Sequence, residues 1–338
     1  MGRIAGGSGR LALTCAALLV ALTGAAWADP PCKLPRLAHA DFAAQADGSL
    51  LLPVSVNGQT EYFALGGGAH SFVYDADAER LDFGHHHYER DDGLYFGKDE
   101  VKVRRTADLI IGKVRWPKIE FYPLHQQRPA GQVAIGSLGM NFLSSSQFDI
   151  EINTSARSIN FIQAGTCPRP PWVSDGDGTP MAALNDATSL PVTLNGRRLT
   201  AIFSTSSLMS SLDASAFSYI FERSAEPGLV REFDMLTVDR AAILHPVFRV
   251  LAGESKENRE YVERRARALN PGATSPPIVR HLGATGVLEI GLPELNRVRI
   301  YMMFKQRKVF VTPIPNAPNT GIAPPIADPE PAQTEQSH

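Results

Sequence analysis

Along this chain apolar and polar positions alternate in short runs, each closed by a turn signal. The clearest run, Leu52-Pro53-Val54-Ser55-Val56, ends in Asn57-Gly58, and a second, Leu190-Pro191-Val192-Thr193-Leu194, ends in Asn195-Gly196. The two are related by a shift of 138 positions. Asn-Gly tolerates the positive φ angles of a tight two-residue turn, so each segment predicts a β-hairpin. The same shift carries Tyr62-Phe63-Ala64-Leu65 onto Thr200-Ala201-Ile202-Phe203 as the returning strand. It also carries Asp75-Ala76-Asp77-Ala78 onto Asp213-Ala214-Ser215-Ala216, each read as an aspartate cap followed by a short helix.

The ends of the two halves correspond as well. Val133-Ala134-Ile135-Gly136 pairs with Val287-Leu288-Glu289-Ile290-Gly291, which places Gly136 and Gly291 as counterparts. Each half then closes with two β-like runs around a basic turn: Phe148–Ile152 and Ile159–Ile162 in the first, Val298–Met302 and Val309–Val311 in the second. A repeat this long predicts two similar domains rather than a solenoid. The expected fold is all-β with short helices, in two lobes at 48–165 and 189–313. Residues 29–47 form an N-terminal segment and 166–188 a linker rich in Pro, Gly and Asp. A helical insertion is expected within 222–284, because Val262, Ala266 and Leu269 share helical spacing in a densely charged stretch. The Pro-rich end, 314–338, reads as disordered.

Residues 1–28 have the layout of a secretory signal peptide: Arg3 and Arg10, an apolar run from Leu11 to Leu22, and Ala26-Trp27-Ala28 before Asp29. The run is short for a membrane span, and no later stretch approaches one. An exported chain, periplasmic or secreted, is the expectation. Export would leave Cys32 and Cys167, for which one bridge is expected, two separate thiols being the alternative. A formal net charge of −2 provides no broad basic surface and argues against nucleic acid as partner.

The hairpin ending in Asn-Gly, the apolar strand, the tight loop and the short helix resemble the start of retropepsin-like domains. The run Leu138-Gly139-Met140-Asn141-Phe142-Leu143 and the terminal hairpin resemble their end. That resemblance, to the aspartic proteases, implies two β-barrel lobes flanking a pepsin-like cleft. Family members carry Asp-Thr-Gly or Asp-Ser-Gly after the apolar strand. The matching positions here are Gly66-Gly67-Gly68-Ala69 and Ser204-Thr205-Ser206-Ser207, each set nine residues past its Asn. Both catalytic aspartates of the resemblance are therefore missing.

The chemistry depends on that pair. Two carboxyls sharing a proton split into an acid and a base, so one site both activates water and protonates a carbonyl. Gly66 has no side chain, and the hydroxyl of Ser204 ionises far outside the useful range. General acid–base work is worth roughly 10²–10⁴ in rate. The expectation is a non-proteolytic protein that binds a peptide or protein segment in the inter-lobe cleft, with His70, Gly136 and Gly291 lining it and no cofactor.

Other readings are a hydrolase with rewired chemistry or a structural module with a closed cleft. For the hydrolase, His70 with Ser204 would form a nucleophilic pair. Alternatively His85 and His87, on one face of a strand, would bind a metal with Asp91. Runs of consecutive histidines lack the spacing of known zinc motifs.

Overall fold

The computed structural model describes residues 32–68, 70–90, 101–124, 126–144, 148–173, 179–180, 182–184, 187–222, 226–251 and 287–322. The proposed signal peptide, Ala69, Asp91, the Glu254–Leu269 stretch and the chain beyond Ile322 lie outside these. The chain is mostly β, with short helices at Asp75–Arg80, Met140–Ser144, Ala214–Phe221 and Leu292–Leu295. Among the described residues no helix is long and apolar enough to cross a membrane.

Both Asn-Gly hairpins form. Leu50–Val56 pairs with Gln59–Leu65, and Ala187–Leu194 with Arg197–Phe203. Asn57 and Asn195 take φ of 49° and 48°, and the following glycines 83° and 78°. These are the conformations for which Asn-Gly is selected.

Each returning strand then receives a parallel neighbour from far along the chain. Gln59–Leu65 pairs with Gly136–Leu138, and Arg197–Phe203 with Val287–Ile290. On the other side of each neighbour runs an antiparallel strand, Ser71–Tyr74 in the first half and Ser210–Asp213 in the second. The two halves are thus two curled sheets of matching topology. Their inward faces supply one apolar cluster, which includes Leu52, Phe63 and Phe121 from the first and Val192, Phe203 and Phe248 from the second.

A six-stranded sheet joins the halves. The closing hairpin Phe148–Asn153/Ser158–Gln163 lies against its counterpart Val298–Met303/Lys308–Pro313, with Ile150, Glu151 and Ile152 opposite Met302, Tyr301 and Ile300. Arg36–Asp41 adds one margin and Thr179–Pro180 the other. The expected bridge is present between Cys32 and Cys167 and ties the start of the described chain to the segment after the first closing hairpin.

Several expectations require correction. Residues 226–251 are not part of a helical insertion: Val230–Glu232, Met235–Val238, Ala241–Leu244 and Val247–Leu251 are strands of the second lobe. Their turns pass through Asp239 and His245 at φ of 52°, residues that carry no Asn-Gly signal. Within the linker Ala182–Leu184 pairs back onto Ala187–Ser189. The C-terminal stretch begins with a strand, Thr320–Ile322, against Ala241–Ile243. Asp213 caps its helix by accepting the Ala216 N–H at 2.6 Å, whereas Asp75 lies inside a helix whose N-cap, Tyr74, makes no side-chain bond.

Within the joining sheet Asp149 is fully buried. It accepts from the Tyr301 hydroxyl at 3.3 Å and from the Gly165 N–H, while its Oδ1 has no hydrogen-bond partner. Desolvation outweighs these bonds and pushes its carboxyl up to about 6. Between about pH 4 and pH 6 the folded chain therefore holds a proton that the unfolded chain has released. The protonated carboxyl suits the fold, so stability is full below that window and declines as pH rises through it. Asp149→Asn should flatten this dependence and raise the unfolding free energy at pH 7 by roughly 2 kcal/mol. Urea denaturation of both proteins from pH 4 to 7 measures the difference, and parallel pH profiles would contradict it.

Candidate functional site

The two loops that follow the returning strands meet. Gly66 and Ser204 form an antiparallel bridge. The Gly67 N–H donates to the Phe203 carbonyl at 2.7 Å, and the Thr205 N–H donates to the Leu65 carbonyl at 2.8 Å. The positions matched by the repeat thus face each other across a pseudo-twofold axis.

Thr205 is fully buried at this junction. Its Oγ1 accepts from the Leu65 N–H at 3.1 Å and donates to the Leu50 carbonyl at 2.9 Å, while its own carbonyl accepts from the Leu50 N–H at 2.9 Å. One threonine therefore pins both strands of the opposite hairpin. The first loop has no reciprocal hydroxyl, because the equivalent residue is Gly67. A Cβ there would lie 3.0 Å from the Phe203 nitrogen and 3.2 Å from the Ile202 Cβ, inside comfortable contact. The grip is one-sided, and the close approach of backbones that produces it requires glycine.

Ser204 and Ser206 place their Oγ atoms 3.2 Å apart. The His70 ring packs on Tyr122 of its own lobe, centroids 4.6 Å apart. Gly68 has open space where a side chain would stand. The strand that carries His85 and His87 pairs with Val101–Ile111 through a register shift between them, and their side chains, like Asp91, lie outside what the structure describes. Among the described residues no group of three or more His, Cys, Asp or Glu is placed to hold a metal.

The counterpart of Gly291 is Gly139, not Gly136. Leu138 accepts from the Gly66 N–H as Ile290 accepts from the Ser204 N–H. The Gly139 N–H donates to Ser71 Oγ at 3.0 Å, as the Gly291 N–H donates to Ser210 Oγ at 2.8 Å. Both glycines lie under 3.0 Å, by a hypothetical Cβ, from carbonyls of the loop they cross. Gly136 is equally confined, 2.0 Å from the Phe72 carbonyl, but for strand crossing. Ser71 and Ser210 are 139 positions apart, one more than the shift that relates the hairpins, so the second loop is one residue longer. That offset conceals Ser71 and Ser210 as equivalents. The Ser71 hydroxyl donates to Asn141 Oδ1 and the Ser210 hydroxyl to Glu294, whose carboxyl burial pushes up.

Beside the junction lies a cavity of about 730 Å³. Leu51, Ala64, Tyr74, Gly136 and Ser137 of the first lobe line it, and Ser206 reaches it from the second. Leu208, 48% exposed, and Val133, 43% exposed, leave apolar surface available nearby. Gln45, Asp47, Ser49 and Gln132 add polar groups to the cavity lining, so polar and apolar surface are present in similar measure.

No family model matches the chain, and no curated protein matches it. Among solved structures, it is similar to conglutin gamma, a basic 7S globulin from lupine seeds. That match has a TM-score of 0.44 and 11% identity over 83% of this chain and 95% of that one. It is also similar to a retropepsin-like aspartic protease from Rickettsia conorii, with a TM-score of 0.28 and 19% identity over 39% of this chain and 97% of that one.

Thr205→Val keeps the shape of the side chain but leaves the Leu65 N–H and Leu50 carbonyl unsatisfied in a buried place. It should cost about 1–3 kcal/mol, and Thr205→Ser appreciably less. Equilibrium denaturation distinguishes them; equal midpoints for wild type and Thr205→Val would show that the hydroxyl does not hold the junction.

Proposed function

We propose that this chain is an exported, aspartic-protease-like protein that binds an extended peptide or protein segment between its lobes and does not cleave it. The observation that carries the reading is the junction itself. The two equivalent turns meet as a bridge, and the residues that meet are glycine and serine. A water molecule there would find backbone amides and hydroxyls but no carboxyl pair to deprotonate it.

Binding needs none of the lost groups. Strand addition draws affinity from main-chain hydrogen bonds and specificity from pockets for alternate side chains. The cavity beside Ser137 and Ser206 supplies such a pocket. The Cys32–Cys167 bridge suits an oxidising compartment, as export requires.

Incubation with a mixed peptide library between pH 3 and 8 tests the proposal. Peptides should be retained on immobilised protein and recovered intact by mass spectrometry, with pepstatin having no effect on their integrity. Cleavage that pepstatin suppresses would overturn the reading.

A further inference from the structure

The pseudo-twofold relation assigns the strand positions around Ser137 counterparts in the second lobe. Ser137 is flanked by Ala64 on the parallel strand and Phe72 on the antiparallel one. Glu289 is flanked in the same way by Ile202 and Ser211. Ala64 and Ser137 line the cavity. Their counterparts Ile202 and Glu289 hold the corresponding strand positions in the second lobe.

Glu289 is unusual for that station. Its strand neighbours Leu288 and Ile290 are buried in the core, and Glu289 points to the opposite face, half-buried. Ser207, three residues past Ser204 on the loop at the junction, donates its hydroxyl to Oε1 and holds the carboxylate in place. Among the described residues no lysine, arginine or histidine forms an ion pair with it. A half-buried carboxylate oriented by one hydroxyl and lacking a counter-ion retains acceptor capacity for a cation.

The first-lobe half carries the same sign. Asp47 is the charged residue lining the cavity, and among the described residues no basic side chain lines it. The Ser49 N–H and hydroxyl, at 2.9 and 2.7 Å, hold the Asp47 carboxyl below its usual range. Exposed Asp47 in the first lobe and half-buried Glu289 in the second carry the same negative sign, which favours a positively charged occupant.

We infer that Glu289, positioned by Ser207, receives a lysine or arginine side chain of the bound peptide. This rests on the peptide-binding reading above and deepens it by naming the ligand's charge. Arginine suits the site best, since its planar fork satisfies both carboxylate oxygens.

The test uses fluorescently labelled decapeptides of Ala, Ser and Val that differ at one position, carrying Arg, Lys, norleucine or Glu. Fluorescence anisotropy against the full chain should show Arg and Lys peptides bound about tenfold more tightly than norleucine, with Glu weakest. The preference should shrink as salt rises. Glu289→Gln should abolish the discrimination between the Arg, Lys and norleucine peptides, and Glu289→Ile should reverse it in favour of norleucine. Ser207→Ala, which only frees the carboxylate, should reduce the preference without removing it. Binding of all peptides without charge discrimination, or discrimination that survives in Glu289→Gln, overturns the assignment of Glu289 and leaves the binding reading standing. Failure of every peptide to bind the wild type overturns both.

Discussion

The structure depends on how closely two backbones approach at the pseudo-twofold axis. At Gly66 and Ser204 the loops are near enough to exchange N–H···O bonds, and Gly67 leaves no room for a side chain against Phe203. Around that contact the hydroxyl of Thr205 gathers Leu65 and Leu50 into one buried knot. Every bond in it uses backbone groups or a hydroxyl. None uses a carboxylate. The junction therefore closes without any acidic side chain at these positions.

A second joint lies on the other side of the molecule. In the joining sheet, a row of polar side chains crosses from strand to strand. His39 contacts Asn160 at 2.8 Å, and Asn160 donates to Glu151 at 2.9 Å. Glu151 pairs with Arg299 at 3.3 Å, and Arg299 stacks over Trp172 at 4.7 Å. The row begins in the N-terminal segment and ends on the second half, so it spans the same division that Thr205 spans. Exposed ion pairs contribute little individually. Here the partners are shielded by Trp172 and by the neighbouring apolar cluster of Ile162, Tyr301 and Phe310, and planar stacking limits the motion of the guanidinium.

Much of this architecture was legible in the chain because its strongest signals are local. Asn57-Gly58 and Asn195-Gly196 specify their turns by their own φ preferences, and the two closing runs declare themselves by alternation. The pairing of Cys32 with Cys167 was also legible, since few alternatives existed. What was hidden is what depends on contacts distant in sequence. The strands at 230–251 turn on Asp239 and His245, both at positive φ but without the Asn-Gly pair that marks the two hairpins in sequence. Gly136 and Gly139 stand three residues apart and are both confined, so composition alone could not decide which one matches Gly291. The Ser207–Glu289 contact joins positions 82 apart, and in sequence Glu289 reads only as a polar interruption between two buried apolar residues.

The joining sheet has a consequence for how the molecule is made. Strand Phe148–Asn153 finds its outer neighbour only in Val298–Met303, at the far end of the described chain. Until that segment emerges, a growing polypeptide displays an uncovered row of amides and carbonyls beside Ile150 and Ile152, a template for mispairing with other chains. The first half is therefore a finished lobe in topology but an unfinished one in solution, and its vulnerable interval lasts for the synthesis of the entire second half.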